Sequence, residues 1–294
     1  MNRNNPYEKG ELMTTAKDLL RKDYVSTDIK ETVAKLIGKL KKAGTHSALV
    51  FDGKKYLGLV SRRFLLTSRI DPSEMKVGNI IKKRSKAKTP FFVPKLEENT
   101  DIKQICKLMT TSDTDMLPVL KKEQVLGIVH AHDVANEIAR EYARLTCDEL
   151  ASKPAITARP NDQIIKIITV FSREAIDHLP VVDEQNRLMG MVAMSDLAEN
   201  PQAWNMSAQK ISQAASHQGG KHTGYAHGEK TKMMNLPIQN YMSTRQICCT
   251  PPETKIPDAI KTMEENNVCS IVLVKYDKPV GILTIKDLLM DYAK

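Results

Sequence analysis

Along the chain, apolar residues recur first at helical spacing and then at strand spacing, in the same order four times. In one copy Ile102, Ile105, Cys106, Leu108 and Met109 fall on one helix face, the run Met116-Leu117-Pro118-Val119-Leu120 follows, and a second run opens on Gly127. That copy starts at Thr100; the others start at Thr27, Asn161 and Thr254, and their second runs open on Gly58, Gly190 and Gly281. A Thr or Asn at the head of each copy is expected to cap the first helix, because its side-chain oxygen can take an open N–H of the first turn. Turn residues (Asp, Glu, Lys, Asn) bound the strands. Each copy therefore reads helix, strand, turn, strand, helix, with a short lead-in strand before the first helix. The fold class is α/β (α+β), built from four β-α-β-β-α units.

The spacing of the copies shows where material has been added. Successive glycines stand 69, 63 and 91 residues apart. The longest interval exceeds the one before it by 28 residues, which fall on Glu199 to Leu236, where ASHQGGKHTGYAHGEKTK has no apolar period. This reads as a linker or an extended binding segment. A second insertion, before copy two, contains Lys82-Lys83-Arg84-Ser85-Lys86-Ala87-Lys88. The expected division is a tail at 1–15, repeat 1 at 16–72, repeat 2 at 73–143 with its basic insertion at 82–88, repeat 3 at 144–200, a Gly/His/Lys linker at 201–236 and repeat 4 at 237–294.

Composition narrows the function classes. With 41% apolar and 27% charged residues in 294, the chain is expected to fold as a globular protein. Its longest apolar stretches are strand-sized and its first residues are polar, so neither a membrane span nor a secretory signal is expected, and the reading is cytoplasmic. Five cysteines without a C-x-x-C pair argue against a disulfide framework, and adjacent Cys248 and Cys249 read as buried thiols in a strand. The net charge of +9 is unevenly spread: residues 1–90 carry 21 Lys+Arg against 9 Asp+Glu, whereas the remainder carries 23 against 26. A basic end of this kind suits a phosphate-rich partner.

The motifs H-L-P-V-V-D at 178–183, M-L-P-V-L at 116–120 and Gly281-Ile282-Leu283-Thr284-Ile285-Lys286-Asp287 resemble the cystathionine β-synthase (CBS) domain. Its signature is an apolar strand, a turn, then G-h-h-[S/T]-x-x-D opening a helix. The resemblance implies that the four repeats fold in pairs, as two Bateman modules. It also implies that the Ser/Thr and Asp hold the phosphate and ribose of an adenine nucleotide (AMP, ADP or ATP) in a module cleft. A carboxylate accepts well from a ribose diol, and a hydroxyl beside helix N–H groups suits a phosphate. Only the fourth copy has the full signature, in Thr284 and Asp287, with Thr250 in the lead-in strand as a further contact. Copy three keeps Asp196 but has Ala193 at the hydroxyl position, copy two keeps Asp133 with His130, and copy one has Ser61 but Phe64 in place of Asp. Thr284-x-x-Asp287 equally fits a helix capping box with no ligand.

Outside the signature, Lys82, Lys83, Arg84, Lys86 and Lys88, with Arg62, Arg63 and Lys221, are the candidates for contacting RNA backbone. Phe91-Phe92 is read as base-stacking or strand core. His217, His222 and His227 are spaced by five, which suits neither a helix face nor a metal loop, so no metal is expected. His130 and His132 read as cleft or capping residues. No nucleophile elbow, P-loop, kinase set or dinucleotide fingerprint appears, so no catalytic residue, no enzyme activity and no required cofactor are expected. The chain resembles archaeal stand-alone CBS arrays, some of which are ribosome hibernation factors. Docking of the basic end on the ribosome or its RNA, tuned by adenine nucleotide, is the leading function. Two alternatives are a nucleotide-sensing regulatory subunit of an enzyme or transporter, with a protein partner or homodimer, and a DNA-binding transcription regulator.

Overall fold

Among the described residues, the first helix and the hairpin of every repeat form as their apolar patterns predict, and the second helix expected in repeat 1 lies outside them. The computed structural model describes residues 14–61, 75–80, 95–174, 176–199, 235–245 and 247–294. Repeat 1 comprises β1 (Ser26–Asp28), α1 (Val33–Ala43), β2 (Ser47–Asp52) and β3 (Lys55–Ser61). Repeat 2 comprises α2 (Ile102–Ser112), β4 (Met116–Lys121), β5 (Gln124–His130) and α3 (Ala131–Ala139), and the short helix α4 (Cys147–Leu150) follows. Repeat 3 comprises α5 (Ile164–Glu174), β6 (His178–Val182), β7 (Leu188–Ala193) and α6 (Met194–Glu199). Repeat 4 comprises β8 (Cys249–Thr250), α7 (Ile256–Glu265), β9 (Ser270–Lys275), β10 (Lys278–Thr284) and α8 (Ile285–Tyr292).

The first helices bury a single stripe: Val33, Leu36 and Leu40 in α1, and Ile256, Ala259, Ile260 and Met263 in α7. Their starts differ from the expected caps. Thr32, not Thr27, caps α1 by accepting from the Lys35 N–H, and Asp101, not Thr100, caps α2 by accepting from that of Gln104. Helix α5 starts at Ile164, beyond Asn161, and α7 follows Lys255 with no side-chain cap. The reason is geometric. Thr27 lies inside the lead-in strand, and the chain spends several residues turning from that strand into the helix.

In every repeat the lead-in runs parallel to the first hairpin strand, as β1 on β2 and β8 on β9. Single bridges from Leu96 to Val119 and from Ala158 to Val181 do the same in repeats 2 and 3. All four hairpins shift register at the signature glycine, which marks a β-bulge.

The stretch before each lead-in strand is exchanged between neighbouring repeats. Residues 14–21 precede β1 but pair with repeat 2 at Thr15–Asp101 and Arg21–Ile128. Lys76, before the lead-in of repeat 2, pairs with Thr32 of repeat 1. In the same way Thr146 and Ser152 pair with Lys255 and Ile282 of repeat 4, and Pro237 and Ser243 pair with Gln163 and Met191 of repeat 3. Reciprocal exchange thus defines two pairs, 1 with 2 and 3 with 4. Sheets face each other within a pair, where Leu49 and Leu59 meet Met116 and Ile128. Helices join the pairs. One core merges α2 and α3 with α7 and α8, through Ile105, Met109, Ile138, Ile260, Met263 and Leu288.

The exchange explains two of the signature glycines. A Cβ on Gly127 would stand 2.2 Å from the Arg21 carbonyl oxygen, and one on Gly190 would stand 2.9 Å from that of Ser243. Only a residue without a side chain admits the crossing backbone at these distances.

The adjacent thiols depart from the expectation. Cys248 is half-buried, but Cys249 is exposed, because β8 is an edge strand and successive residues of a strand face opposite ways. Among the described residues, no helix is long and apolar enough to cross a membrane.

Candidate functional site

In repeats 2, 3 and 4 the signature positions lie where the hairpin's second strand passes into the following helix. In repeat 4, Thr284 ends β10 and caps α8, its hydroxyl accepting from the Asp287 N–H at 3.2 Å. The Thr284 N–H and hydroxyl both donate to Asp287 Oδ2, at 2.8 and 2.7 Å. The capping box is therefore formed, and it uses one carboxylate oxygen. The other, Oδ1, receives a long bond of 3.4 Å from the Ser152 hydroxyl, which arrives on the exchanged lead-in of repeat 3. Burial pushes the Asp287 carboxyl above its ordinary pKa, outweighing the bonds from Thr284 and Ser152 that pull it down. A buried carboxylate with one weakly used oxygen has acceptor capacity to spare.

Thr250 stands on β8, at the opposite edge of the same sheet with β9 between, and its hydroxyl bonds that of Thr254 at 2.6 Å. The sheet registers make Thr27, Leu96, Ala158 and Thr250 equivalent positions. Repeats 2 and 3 thus lack a hydroxyl there. Only repeat 4 combines this hydroxyl with Thr284 and Asp287.

The other copies are modified. Asp196 accepts from the Ala193 N–H at 3.0 Å, and burial raises its pKa against the pull of that bond and of His178 and His46. Asp133 is ion-paired through Oδ1 to Arg21, while its Oδ2 is buried with no hydrogen-bond partner among the described residues. His130 caps α3, its Nδ1 accepting from the His132 N–H at 3.3 Å, and burial holds its imidazole below the ordinary value. His132 donates from Nε2 to the Val268 carbonyl at 3.1 Å, tying repeat 2 to repeat 4. Both histidines therefore serve as capping and junction residues. In repeat 1, Ser61 pairs with Ser47 across the hairpin, and Phe64 lies outside the described residues.

Several polar contacts that only the fold assembles lie between repeats. Ser47 donates to Asp115 at 2.5 Å within the first pair, and His178 Nε2 lies 3.6 Å from Cys269 Sγ within the second. Burial pushes the Cys269 thiol up to about 12, so it stays protonated. Lys286 and Asp113 form an ion pair at 2.7 Å between repeats 4 and 2. Arg21 and Ser152 carried no signal in the sequence beyond standing a few residues before a lead-in strand.

The candidate RNA contacts Lys82, Lys83, Arg84, Lys86, Lys88, Arg62, Arg63 and Lys221 lie outside the described residues, as do Phe91, Phe92 and the three linker histidines. Of the basic residues within repeat 1, Lys39 is already committed to Glu31 at 2.7 Å. Among the described residues, no group of three or more His, Cys, Asp or Glu is placed to hold a metal ion.

Four exchanged repeats, each with a lead-in strand, a helix and a hairpin bulged at its glycine, define a class of paired-repeat proteins. The CBS domain family model matches residues 16–63, 91–140, 147–202 and 238–294, and the chain belongs to this family. Among solved structures it is similar to protein MJ1225 of Methanocaldococcus jannaschii, with a TM-score of 0.72 at 16% identity, covering 95% of this chain and 100% of that one. A protein from Pyrococcus horikoshii is also similar, with a TM-score of 0.57 at 16% identity and the same coverage. These likenesses confirm the fold of tandem CBS repeats. Among curated relatives, MJ1404 of M. jannaschii is 23% identical over 278 residues, 93% of this chain and 60% of that protein. The homoserine O-acetyltransferase of Methanocorpusculum labreanum is 30% identical over 106 residues, 36% of this chain and 21% of the enzyme. The matched regions thus span from about a fifth to three fifths of these relatives.

Proposed function

We propose that this CBS-domain chain is a regulatory binding protein whose repeat 4 cleft takes an adenine nucleotide, with Asp287 accepting from the ribose diol and Thr284 and Thr250 lining the cleft. The observation that carries the reading is the divided use of the Asp287 carboxylate. Oδ2 is consumed by the helix cap, whereas among the described residues Oδ1 is met only by Ser152 at 3.4 Å. A residue retained purely as a cap needs one oxygen and gains nothing from burial that raises its pKa. Calorimetry with AMP, ADP, ATP and S-adenosylmethionine on wild type and Asp287→Ala tests it. Binding that Asp287→Ala abolishes while the protein remains folded supports the ligand site. A loss of stability with no ligand bound by the wild type leaves Asp287 as a cap alone.

The second element of the reading is docking of the basic end on an RNA surface, the ribosome above all, as a hibernation or translation-inhibiting factor. Its support is the charge partition, 21 Lys+Arg against 9 Asp+Glu within residues 1–90. Lysines and arginines that displace counterions from phosphates make affinity fall steeply with salt. Co-sedimentation with ribosomes is expected to weaken as salt rises and to be lost when Lys82, Lys83, Arg84, Lys86 and Lys88 become Glu. Salt-insensitive binding to a single protein would instead favour a regulatory subunit.

A further inference from the structure

The exchanged lead-ins put one residue at the same place in three repeats. Arg21 exchanges two backbone bonds with Ile128, both at 2.8 Å. Ser243 does so with Met191 at 2.8 and 2.9 Å, and Ser152 with Ile282 at 3.0 and 3.2 Å. Each of these partners directly follows its signature glycine. In repeats 4 and 2 the side chain at this place reaches the signature Asp, whereas in repeat 3 the Ser243 hydroxyl donates to the Arg245 carbonyl at 3.3 Å. In repeat 4 it is a serine, which leaves Asp287 Oδ1 lightly used. In repeat 2 it is an arginine, whose guanidinium is ion-paired to Asp133 Oδ1.

The segment carrying Arg21 is anchored. Ala16 is fully buried and its N–H donates to the Thr100 carbonyl at 2.9 Å. The Thr14 hydroxyl donates to Glu137 at 2.8 Å. Such a tethered cation competes with any free ligand at a high effective concentration. The remaining oxygen, Asp133 Oδ2, is buried with no hydrogen-bond partner among the described residues. An acceptor left without a donor in a buried place costs free energy, and one more hydroxyl donor would remove that cost.

We infer that Arg21 is a built-in occupant of a second adenine-nucleotide cleft, in repeat 2: its guanidinium holds the carboxylate on which a ribose diol would close, so one of the three signature carboxylates, Asp133, is withheld from free ligand. The inference rests on the reading that the signature Asp of this fold receives ribose hydroxyls. Serine at the equivalent place in repeat 4 is the open counterpart. The two clefts therefore differ in a residue contributed by the preceding stretch of chain, outside the signature itself.

The test is calorimetry of the full chain with AMP and with ATP, on wild type, Arg21→Ser, Arg21→Gln, Asp287→Ala and the double variant Arg21→Ser/Asp133→Asn. Thermal melting identifies which variants are folded. Arg21→Gln keeps part of the aliphatic stem should serine loosen the lead-in. The expected result is one additional nucleotide per chain in either Arg21 variant, bound about tenfold or more tighter at repeat 2 than in wild type and removed by Asp133→Asn. Unchanged stoichiometry in both folded Arg21 variants would overturn the inference, as would an Asp133-dependent nucleotide already present at full affinity in wild type. The two readings fail separately. Asp287-dependent binding that Arg21 substitution never increases sinks only the occupied cleft, while Asp133-dependent binding in Arg21→Ser without any Asp287-dependent site sinks only the repeat 4 cleft.

Discussion

Asp287 illustrates how one side chain can carry both structure and binding. Because burial raises its carboxyl pKa, the folded protein favours the neutral form, and this group adds stability as pH falls through the raised value. Nucleotide binding requires the opposite, an ionised carboxylate that accepts from hydroxyls. Affinity is therefore expected to decline as pH is lowered from neutral towards and through the raised carboxyl value, while Asp287→Asn binds weakly at every pH. Calorimetric titrations across that range check it, and a flat profile in the wild type would remove Asp287 from the ligand contacts. Two glycines provide a contrast that does not depend on ligand. Gly127→Ala places a Cβ 2.2 Å from the Arg21 carbonyl oxygen and is expected to cost about 1–3 kcal/mol. Gly38→Ala, inside α1 with nothing within 4 Å of the new Cβ, is expected to stabilise by about 0.5–1 kcal/mol. Chemical denaturation of both variants measures the two signs.

Among the elements, the second helices decide how the pairs associate. Leu288 on α8 is fully buried in a core shared with α2 and α3 of repeat 2. Leu288→Ala is expected to cost about 2–5 kcal/mol, with the midpoint shift in urea as the readout. Tyr142 and Tyr292 tie the same junction from both sides, donating to Asp291 at 2.9 Å and to Glu141 at 2.8 Å. At α1, Glu31 accepts from Lys35, Lys39 and Thr27, bonds that outweigh its desolvation and hold its pKa down to about 2. A depressed carboxyl gives stability that is fully present above the ordinary value and lost as pH falls through the folded one. Acid is thus expected to weaken repeat 1 between about 4.5 and about 2. Glu31→Gln should flatten that part of the pH–stability curve and lower stability at neutral pH.

In the whole molecule, the helix faces of repeats 2 and 4 complete one another, so neither pair is expected to be self-sufficient. Residues 144–294 expressed alone would expose Ile260, Met263 and Leu288, which the intact chain buries. Such a face is large enough to drive association. The fragment is expected to sediment as a dimer, and Leu288→Arg is expected to return it to a monomer. A monomeric wild-type fragment would show that the shared core contributes little to holding the pairs together.

Periodicity made the four units legible. Helical spacing in Ile102 to Met109, the L-P-V strands and the recurring glycine are local properties, and local properties survive in a linear reading. Composition and charge located the basic end in the same way. The helix caps were misplaced because Thr27 and Thr254 look like caps in isolation, whereas the fold uses Thr27 in a strand and leaves Thr254 to bond Thr250. The sequence alone determined the repeat, the order of its elements and which copy keeps the full signature. Only the tertiary structure decided which repeats pair, why Gly127 and Gly190 admit no side chain, and that Arg21 meets Asp133 while Ser152 meets Asp287. Those contacts join residues more than a hundred positions apart, through a crossing of lead-in strands that leaves no mark on local spacing.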